Sequence, residues 1–340
     1  MLVPGYSSTR ACSAKVEPSA RSHAVFAKPG WGLLGALLAA VGCSAPTVDD
    51  IADASGGRTQ GIVLIERVEA ADGTTQTNVS AKFMRLSTTA DPEAAERVVG
   101  SRLDLPAIGE CMALRPFESG DEGGLAAVGS IELLDVGDVT LRADQAVMPL
   151  AVRAFPDVGD LVSGVFYTSR DATTELPAPA TYRIEGSGST ATEPFALEVQ
   201  APSTPQGVTI GGVDFSEGVT LEEGAAAPVH WQRARESSED LVYVDVWSGR
   251  PVVDVSAASN GIAVRCAFPD TGEAMIPAFL LSRETLGAMP TTVMMGLHRI
   301  RVDAFGASTK VGAPVSIDLG EVRFDLGVVG RMTIASAAAP

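Results

Sequence analysis

Alternating apolar and polar positions mark out short strands along the chain from residue 60 onwards. Phe195, Leu197 and Val199 alternate with small or polar residues, which is the period of a half-buried strand. Residues 241–247 are apolar at nearly every position, as expected of a strand between two packed layers. Turn residues separate such runs at intervals of about 8–15 residues, so the pattern predicts an all-β chain.

Some runs carry more specific predictions. Residues 131–141 predict a hairpin, because two apolar runs flank Asp-Val-Gly-Asp. Within residues 299–304, apolar positions alternate with Arg299, Arg301 and Asp303, as in another half-buried strand. Only residues 92–99 and 277–289 show helical spacing, and we expect both to be short crossings between strands.

The chain divides into two halves of similar style. A stretch rich in Pro, Ser and Gly begins at Pro202 and separates them. Strand spacing without long intervening helices favours antiparallel sandwiches over βαβ units. We therefore predict two antiparallel immunoglobulin-like or fibronectin-type β-sandwich domains, at residues 60–204 and 205–336. Limited proteolysis should cut at residues 201–212 or in the stretch at 44–59 before it cuts inside either domain.

The N-terminal region has the order of charges that is typical of a secretory signal. Residues 1–28 carry four basic side chains and one acidic side chain, and a charge-free apolar stretch follows. That stretch, of about a dozen residues, is shorter than the ~20 that span a bilayer. We predict a signal peptide at residues 1–42. The basic part is longer than a signal needs, so residues 1–24 are also considered an artefact of the assigned translation start.

The apolar stretch ends in Leu-Ala-Ala-Val-Gly-Cys at residues 38–43, which resembles the lipobox of bacterial lipoproteins. The resemblance implies cleavage before Cys43, acylation of its thiol and its new amino group, and the lipid bilayer as a partner. Residues 43–59 would then form a lipidated tether. Ser44, which is not Asp, favours the outer membrane under the sorting rule of that class. Ala40 stands where the class most often has Leu, so a plain secretory signal and an uncleaved anchor stay open as alternatives.

Charge excludes one broad class of function. The 42 acidic residues outnumber the 25 Lys and Arg residues, for a net charge of −17, and only four of those cations are lysines. Binding to a nucleic-acid backbone needs a cationic surface, so we exclude nucleic acid as a partner. The 46% hydrophobic and 20% charged residues exclude disorder of the whole chain.

The lipobox and this Arg-rich, Lys-poor composition support a wider resemblance. Together with segments such as VRCAFPDTGEAMIP at residues 264–277, they resemble lipoproteins of high-GC, myxobacteria-like genomes. That family has no assigned activity to carry over. The resemblance implies a cell-envelope location and β-sandwich domains, without a reaction.

Cys111 and Cys266 follow Cys43 in the chain, one in each predicted domain. Each lies in a strand-like run, so we expect buried free thiols. Two alternatives stay open. One is an interdomain disulfide, which needs Cα atoms within about 7 Å of each other. The other is a catalytic or metal-binding role.

The chain offers few residues for catalysis. Beyond the predicted signal it has two histidines, His230 and His298, and both fit strand positions near a sandwich surface or core edge. Beyond residue 42 it has no Gly-x-Ser-x-Gly, His-Glu-x-x-His, phosphate-binding loop or Gly-x-Gly-x-x-Gly motif. We therefore assign no catalytic residue and no cofactor, and we expect replacement of both histidines to leave folding nearly unchanged.

Acidic turns are the remaining candidates for ligation. Asp-Val-Gly-Asp occurs twice, and its carboxylates are weak calcium candidates, namely Asp135, Asp138, Asp157 and Asp160. Loops between sandwich strands can supply clustered oxygens to calcium. Tight turns also favour Asp and Gly without any metal.

These observations favour a lipid-anchored cell-envelope protein that acts as a binding module or structural spacer, with an envelope protein or polysaccharide as partner. Because catalytic motifs are missing, we expect no enzyme. Two alternatives stay open. An envelope hydrolase with a carboxylate-based site needs two acids about 5–10 Å apart in a cleft. A carrier of an apolar ligand needs an open apolar cavity.

Overall fold

The computed structural model describes residues 57–87, 90–114, 130–155, 161–171, 174–235, 239–247, 263–286, 289, 291–305 and 317–336. Most of the described residues lie in strands, which confirms the predicted all-β class. The strands are β1 (Arg58–Ala70), β2 (Thr75–Leu86), β3 (Cys111–Leu114), β4 (Ile131–Leu133), β5 (Val139–Ala143), β6 (Ala146–Ala154), β7 (Val162–Ser169), β8 (Thr181–Gly186), β9 (Phe195–Gln200), β10 (Thr209–Ile210), β11 (Val213–Asp214), β12 (Val219–Glu222), β13 (Ala227–His230), β14 (Leu241–Trp247), β15 (Ala263–Pro269), β16 (Glu273–Ile276), β17 (Thr291–Phe305) and β18 (Leu319–Ala335).

Helical elements in the described ranges are short, as the sequence predicted. They are α1 (Pro92–Val98), α2 (Arg283–Leu286) and two 3₁₀ turns at Phe215–Glu217 and Ala278–Leu281. Among these described elements no helix is long and apolar enough to cross a membrane.

The described strands form two sheets. The larger has the order β3-β15-β14-β17-β18-β1-β2-β4-β7-β6-β5-β8-β9, and β12 pairs with the far end of β18. The smaller has the order β11-β10-β13-β16. The long strands β17 and β18, of 15 and 17 residues, form the middle of the larger sheet.

The expected boundary at residues 204/205 does not divide this larger sheet. Residues Gln60–Ala70 of β1 run parallel to Leu319–Val329 of β18, and β3 pairs with β15. Strands from both expected domains thus share backbone hydrogen bonds.

The pairing of β1 with β18, like those of β12 with β18 and β4 with β7, is parallel, so the sheet is mixed instead of purely antiparallel. Alternation shows which residues share a face of a strand and leaves its partner strand undetermined.

The predicted hairpin at residues 131–141 is wrong for the same reason. Strand β4 pairs with β2 and β7, whereas β5 pairs with β6 and β8. The Asp-Val-Gly-Asp turn therefore redirects the chain from one part of the sheet to another. At the N-terminal side, β1 begins at Arg58, inside the stretch expected to be tether.

Two hydrophobic clusters cover one face of the larger sheet. In the first, Phe83 and Phe324 pack with Tyr182 of β8. In the second, Val244 and Leu297 pack beneath the smaller sheet. The first cluster contains residues of both predicted domains, because Val322, Phe324 and Leu326 of β18 pack there with residues that precede position 205. The domain bounds and the immunoglobulin-like identity of each half stay predictions.

The opposite face is apolar at one end and charged further along. Helix α1 covers the apolar end, where Ala95 packs with Ile62 and Met84. The helix forms because Asp91 caps its first turn by accepting from the Glu93 N–H at 3.0 Å, and Pro92 follows directly. After α1, residues 99–110, which we call the crossing segment, run over the charged part of this face towards β3.

Candidate functional site

Cys43, Asp157 and Asp160 lie outside the described residues. The described calcium candidates, Asp135 and Asp138, lie in the turn between β4 and β5. Asp135 Oδ1 accepts hydrogen bonds from the Gly137 N–H at 2.8 Å and the Tyr167 hydroxyl at 3.0 Å. The part of the chain that the structure describes contains no group of three residues suited to hold a metal. The Asp135 carboxylate therefore stabilises its own turn.

Cys111 and Cys266 form a disulfide, so the expectation of buried free thiols is wrong. The two residues face each other across the pairing of β3 with β15, and their Cα atoms are 4.0 Å apart. They are 155 residues apart in the chain, and sequence pattern alone does not show that these strands are neighbours. The bridge ties the end of the crossing segment to the edge of the larger sheet.

The two histidines have opposite environments. His230 is exposed on β13, directly across from Glu273. His298 on β17 is only 4% exposed, and its Nδ1 donates to Asp325 Oδ1 at 2.8 Å. The Tyr243 hydroxyl donates to the other oxygen of Asp325 at 2.6 Å, and its ring stacks on the imidazole with centroids 4.5 Å apart. His298 is therefore a core residue.

An ion pair completes this cluster. Arg265 makes a bidentate pair with Asp245, at 2.8 Å and 2.7 Å, and its guanidinium carbon lies 4.5 Å from the centre of the Tyr243 ring. We call Tyr243, Asp245, Arg265, His298 and Asp325 the buried network. None of the five is more than 5% exposed.

Two glycines make room for the imidazole. A Cβ atom at Gly296 would lie 2.6 Å from His298 Nε2, and one at Gly327 would lie 2.6 Å from Nδ1. Glycine is unusual inside a strand and marks a close approach of another group. This pair of glycines is the sequence signal that could have identified His298 as buried.

The crossing segment covers the charged face through its backbone. Arg265 Nη1 donates to the Asp104 carbonyl at 3.1 Å, and Arg323 Nη1 donates to the Ser101 carbonyl at 2.8 Å. Lys82 donates to the Ser101 hydroxyl at 3.1 Å, and burial lowers the pKa of this lysine to about 8 against the opposing charge of Glu66. The covered charges thus hold the crossing segment in position.

Pairing sets the charge states within the buried network. Burial lowers the pKa of His298, but the Asp325 carboxylate outweighs burial and the net pKa is raised above 6.5. Burial raises the pKa of Asp325, while His298, the Tyr243 hydroxyl and Arg265 lower it to a net value below 3.8. Each partner thus favours the charged form of the other, and their mutual attraction stabilises the fold.

A second set of buried ion pairs lies between the two hydrophobic clusters. Arg301 pairs with Asp240 at 2.8 Å and 2.7 Å and donates to the Gln200 carbonyl at 3.0 Å. The neighbouring Arg299 is 0% exposed, whereas Val302 is 51% exposed. In this strand the charged residues point inward and part of the apolar row points outward, the reverse of the usual arrangement for alternating sequences.

Arg299 anchors the linker between the halves. Its Nη1 donates to the Ser203 carbonyl at 2.6 Å, and its Nη2 donates to the Gln232 carbonyl at 2.7 Å. The linker is correspondingly buried, with Ala201 at 0% and Thr204 at 6% exposure. Residues 201–205 are therefore packed, whereas Gln206 and Gly207 are exposed. First cleavage within residues 201–212 stays a prediction.

Asp270 joins the same arrangement from the other side. It accepts from Arg299 Nε at 2.9 Å, from the Trp231 indole N–H at 2.6 Å and from the Ala234 backbone N–H at 3.0 Å. One buried ion pair thus fixes both the linker and the segment that follows β13.

A cleft of about 280 Å³ is lined in part by Ser203 and Gln232, whose carbonyls accept from Arg299. Pro179 lies at its edge, and the remaining lining residues are arginines, glutamines and hydroxyl residues: Arg233, Arg235, Gln206, Gln232, Ser203 and Thr204. We call it the junction cleft. Arg233, Gln206 and Gln232 are exposed, so they are available to a ligand.

A further cleft, of about 380 Å³, bears on the hydrolase alternative because Glu69 and Asp214 both line it. Asp214 accepts from the Ser216 hydroxyl at 2.6 Å and the Ser216 N–H at 2.9 Å. These hydrogen bonds lower the pKa of Asp214. A general acid in glycoside hydrolysis needs a raised pKa, so Asp214 does not suit that role.

The comparisons give no relative from which a role could be transferred. No model of a known protein family and no curated protein matches this chain.

Proposed function

We propose that the protein is exported, anchored by lipid on Cys43 in the cell envelope, and acts there as a binding module that its folded part presents to an envelope partner. The single observation that supports export most directly is the disulfide between Cys111 and Cys266. Disulfides persist in oxidising compartments and are rare in a reducing cytosol. This support is independent of the N-terminal sequence, which suggests the same route.

The anchor fits the chemistry of the chain. Acyl chains contribute about 0.8 kcal/mol for each buried methylene, and two or more chains hold a protein firmly on a bilayer. Such a protein needs no apolar surface for attachment. With residues 1–42 removed, a polar stretch would connect Cys43 to β1, and Ser44 favours the outer membrane.

A binding or spacer role is supported by how the acid and base groups are used. His298 and Asp325 are buried in ion pairs, and the hydrogen bonds from Ser216 keep Asp214 ionised. His298 and Asp325 thus stabilise structure and are covered from a substrate, whereas Asp214 lines an open cleft but has a lowered pKa. The junction cleft, by contrast, presents exposed polar side chains on a rigid base, which favours a binding module over a plain spacer.

The lipid anchor is tested by replacing Cys43 with alanine in the full chain expressed in a bacterial host that processes lipoproteins. We expect the wild-type protein to sediment with membranes and to incorporate an alkyne palmitate analogue, and the Cys43→Ala variant to lose both properties. The matched control is Cys12→Ala, which removes a cysteine that the signal would discard. Palmitate label that persists in the Cys43→Ala variant, or is lost equally in the control, contradicts the anchor.

A further inference from the structure

We propose that the junction cleft binds a carboxylate carried on a hydroxyl-rich molecule, as in a uronic acid unit or a small hydroxy acid. This inference rests on the proposed binding function and names its ligand class. The central contact is the Arg233 guanidinium, supported by the amides and hydroxyls around it.

Arg233 stands apart from most arginines of the described chain. Ten of those arginines lie within ion-pair distance of a carboxylate, namely Arg85, Arg97, Arg102, Arg142, Arg183, Arg265, Arg283, Arg299, Arg301 and Arg323. Arg233 is exposed in the cleft and forms no such pair with a described residue. Among the described residues that line the cleft, none is acidic. The site therefore offers a cation in a chain that is otherwise rich in acids.

The base of the cleft is preorganised by the buried pair of Arg299 and Asp270. Arg299 holds the carbonyls of Ser203 and Gln232, and Asp270 holds the N–H of Ala234, which lies between Arg233 and Arg235. The Gln232 N–H also donates to the Gln206 carbonyl at 2.8 Å. Backbone positions fixed in this way lose little freedom when a ligand binds, which favours affinity.

The side chains define the ligand class. A guanidinium presents a planar fork of N–H donors that matches the two oxygens of a carboxylate. The exposed glutamine amides donate and accept, as sugar hydroxyls do. The Ser203 hydroxyl accepts from Arg299 Nη1 at 3.1 Å and keeps its own proton to donate. The volume of about 280 Å³ is slightly below the ~300–1,000 Å³ of drug-sized pockets, which suits one ring better than a long oligomer.

The net charge of −17 does not exclude an anionic ligand. At physiological ionic strength the screening length is about 8 Å, so charges farther from the cleft contribute little. Close to the cleft, Arg299 balances the charge of Asp270, and Arg233 adds a positive charge on the lining. Added salt should therefore weaken binding, since the main attraction is between exposed charges.

The proposal is tested by isothermal titration of the purified full-length protein with galacturonate, tartrate and trigalacturonate, and with galactose as the neutral counterpart. We expect the carboxylates to bind and galactose not to bind. Preference for galacturonate over tartrate identifies a uronic unit, and the reverse identifies a free hydroxy acid. Tighter binding of trigalacturonate than of the monomer places a polysaccharide in the cleft.

Variants distinguish binding in the junction cleft from a general effect of removing positive charge. Arg233→Gln should weaken galacturonate binding about tenfold or more, because a charge-assisted fork is lost. Arg233→Lys, which keeps the charge without the fork, should lie between Arg233→Gln and wild type. Arg153→Gln removes an exposed arginine on β6, outside the cleft, and should bind as wild type does.

Binding of galactose equal to galacturonate, equal loss in the Arg153→Gln control, or no binding of any carboxylate overturns the proposal. The Cys43→Ala protein should bind galacturonate unchanged. A failed anchor with intact binding therefore overturns lipidation alone, and an intact anchor without binding overturns the cleft alone.

Discussion

His298 and Arg299 are neighbours in β17, yet they serve two buried ionic clusters on opposite faces of the sheet. His298 belongs to the buried network, in which side chains mostly pair with one another beneath the crossing segment. Arg299 pairs with Asp270 and also donates hydrogen bonds to two backbone carbonyls. The first cluster stabilises the sheet, whereas the second also positions a surface that is open to ligands. The role of a buried cation thus depends on whether it bonds to side chains alone or also to the backbone of a surface segment.

Replacement of Arg299 should have the largest effect on stability. We expect Arg299→Met to lower the free energy of unfolding by about 3–5 kcal/mol, because it leaves the buried Asp270 carboxylate unpaired. It should also open the linker at residues 201–206 to proteases and weaken galacturonate binding. Urea unfolding and limited proteolysis measure these effects. Arg331→Met, at an exposed position of β18, is the matched control and should change little.

Replacement of Asp325 tests whether the buried network and the junction cleft are independent. Asp325→Asn should destabilise the fold by an amount comparable to Arg299→Met, because His298 loses a charged partner in a buried site. The folded fraction should nevertheless bind galacturonate as wild type does, since the buried network contacts no residue of the junction cleft. Loss of binding in Asp325→Asn without further unfolding would show that the two clusters are one functional unit.

Loss of the disulfide should lower the free energy of unfolding somewhat less than Arg299→Met does. Replacing Cys111 and Cys266 together by serine should lower the free energy of unfolding by about 2–5 kcal/mol, because the bridge closes a long loop in the unfolded chain. Wild-type protein treated with a thiol reductant should match the double variant in urea unfolding. If reductant leaves the midpoint of wild type unchanged, the bridge is absent from the purified protein.

A smaller, pH-dependent effect distinguishes the two histidines. The pKa of His298 is raised, so its pairing stabilises the fold fully below about pH 6.5 and loses that effect as pH rises through the raised value. The pKa of Asp325 is lowered, so its contribution is present above about pH 3.8 and is lost as pH falls through the lowered value.

We therefore expect His298→Gln to destabilise the protein by about 2–3 kcal/mol at pH 6 and by less at pH 9, measured by urea unfolding at each pH. The exposed His230→Gln variant should stay within about 0.5 kcal/mol of wild type at both values. Equal effects of the two variants would contradict the assignment of His298 to the core.

The sequence predicted local elements better than their partners. Alternation located β9 and the apolar run of β14, and helical spacing located α1. It did not reveal the parallel pairing of β1 with β18, because a strand pattern carries no information about its neighbour.

The candidate site was harder to predict for a related reason. The alternation of Arg299 and Arg301 with apolar residues resembles that of a solvated strand face. Their burial depends on Asp270 and Asp240, which come from distant parts of the chain. The one local signal, glycine inside strands at Gly296 and Gly327, concerns His298 on the opposite face of the sheet.

The central claim, an exported and lipid-anchored protein with an oxidised fold, is tested most directly by mass spectrometry of the mature protein purified from membranes without reductant. We predict an N-terminal peptide that begins at Cys43 and carries acyl chains, and a disulfide-linked pair of peptides that contain Cys111 and Cys266. An N-terminus upstream of Cys43, an unmodified Cys43, or free thiols at both other cysteines would contradict the account.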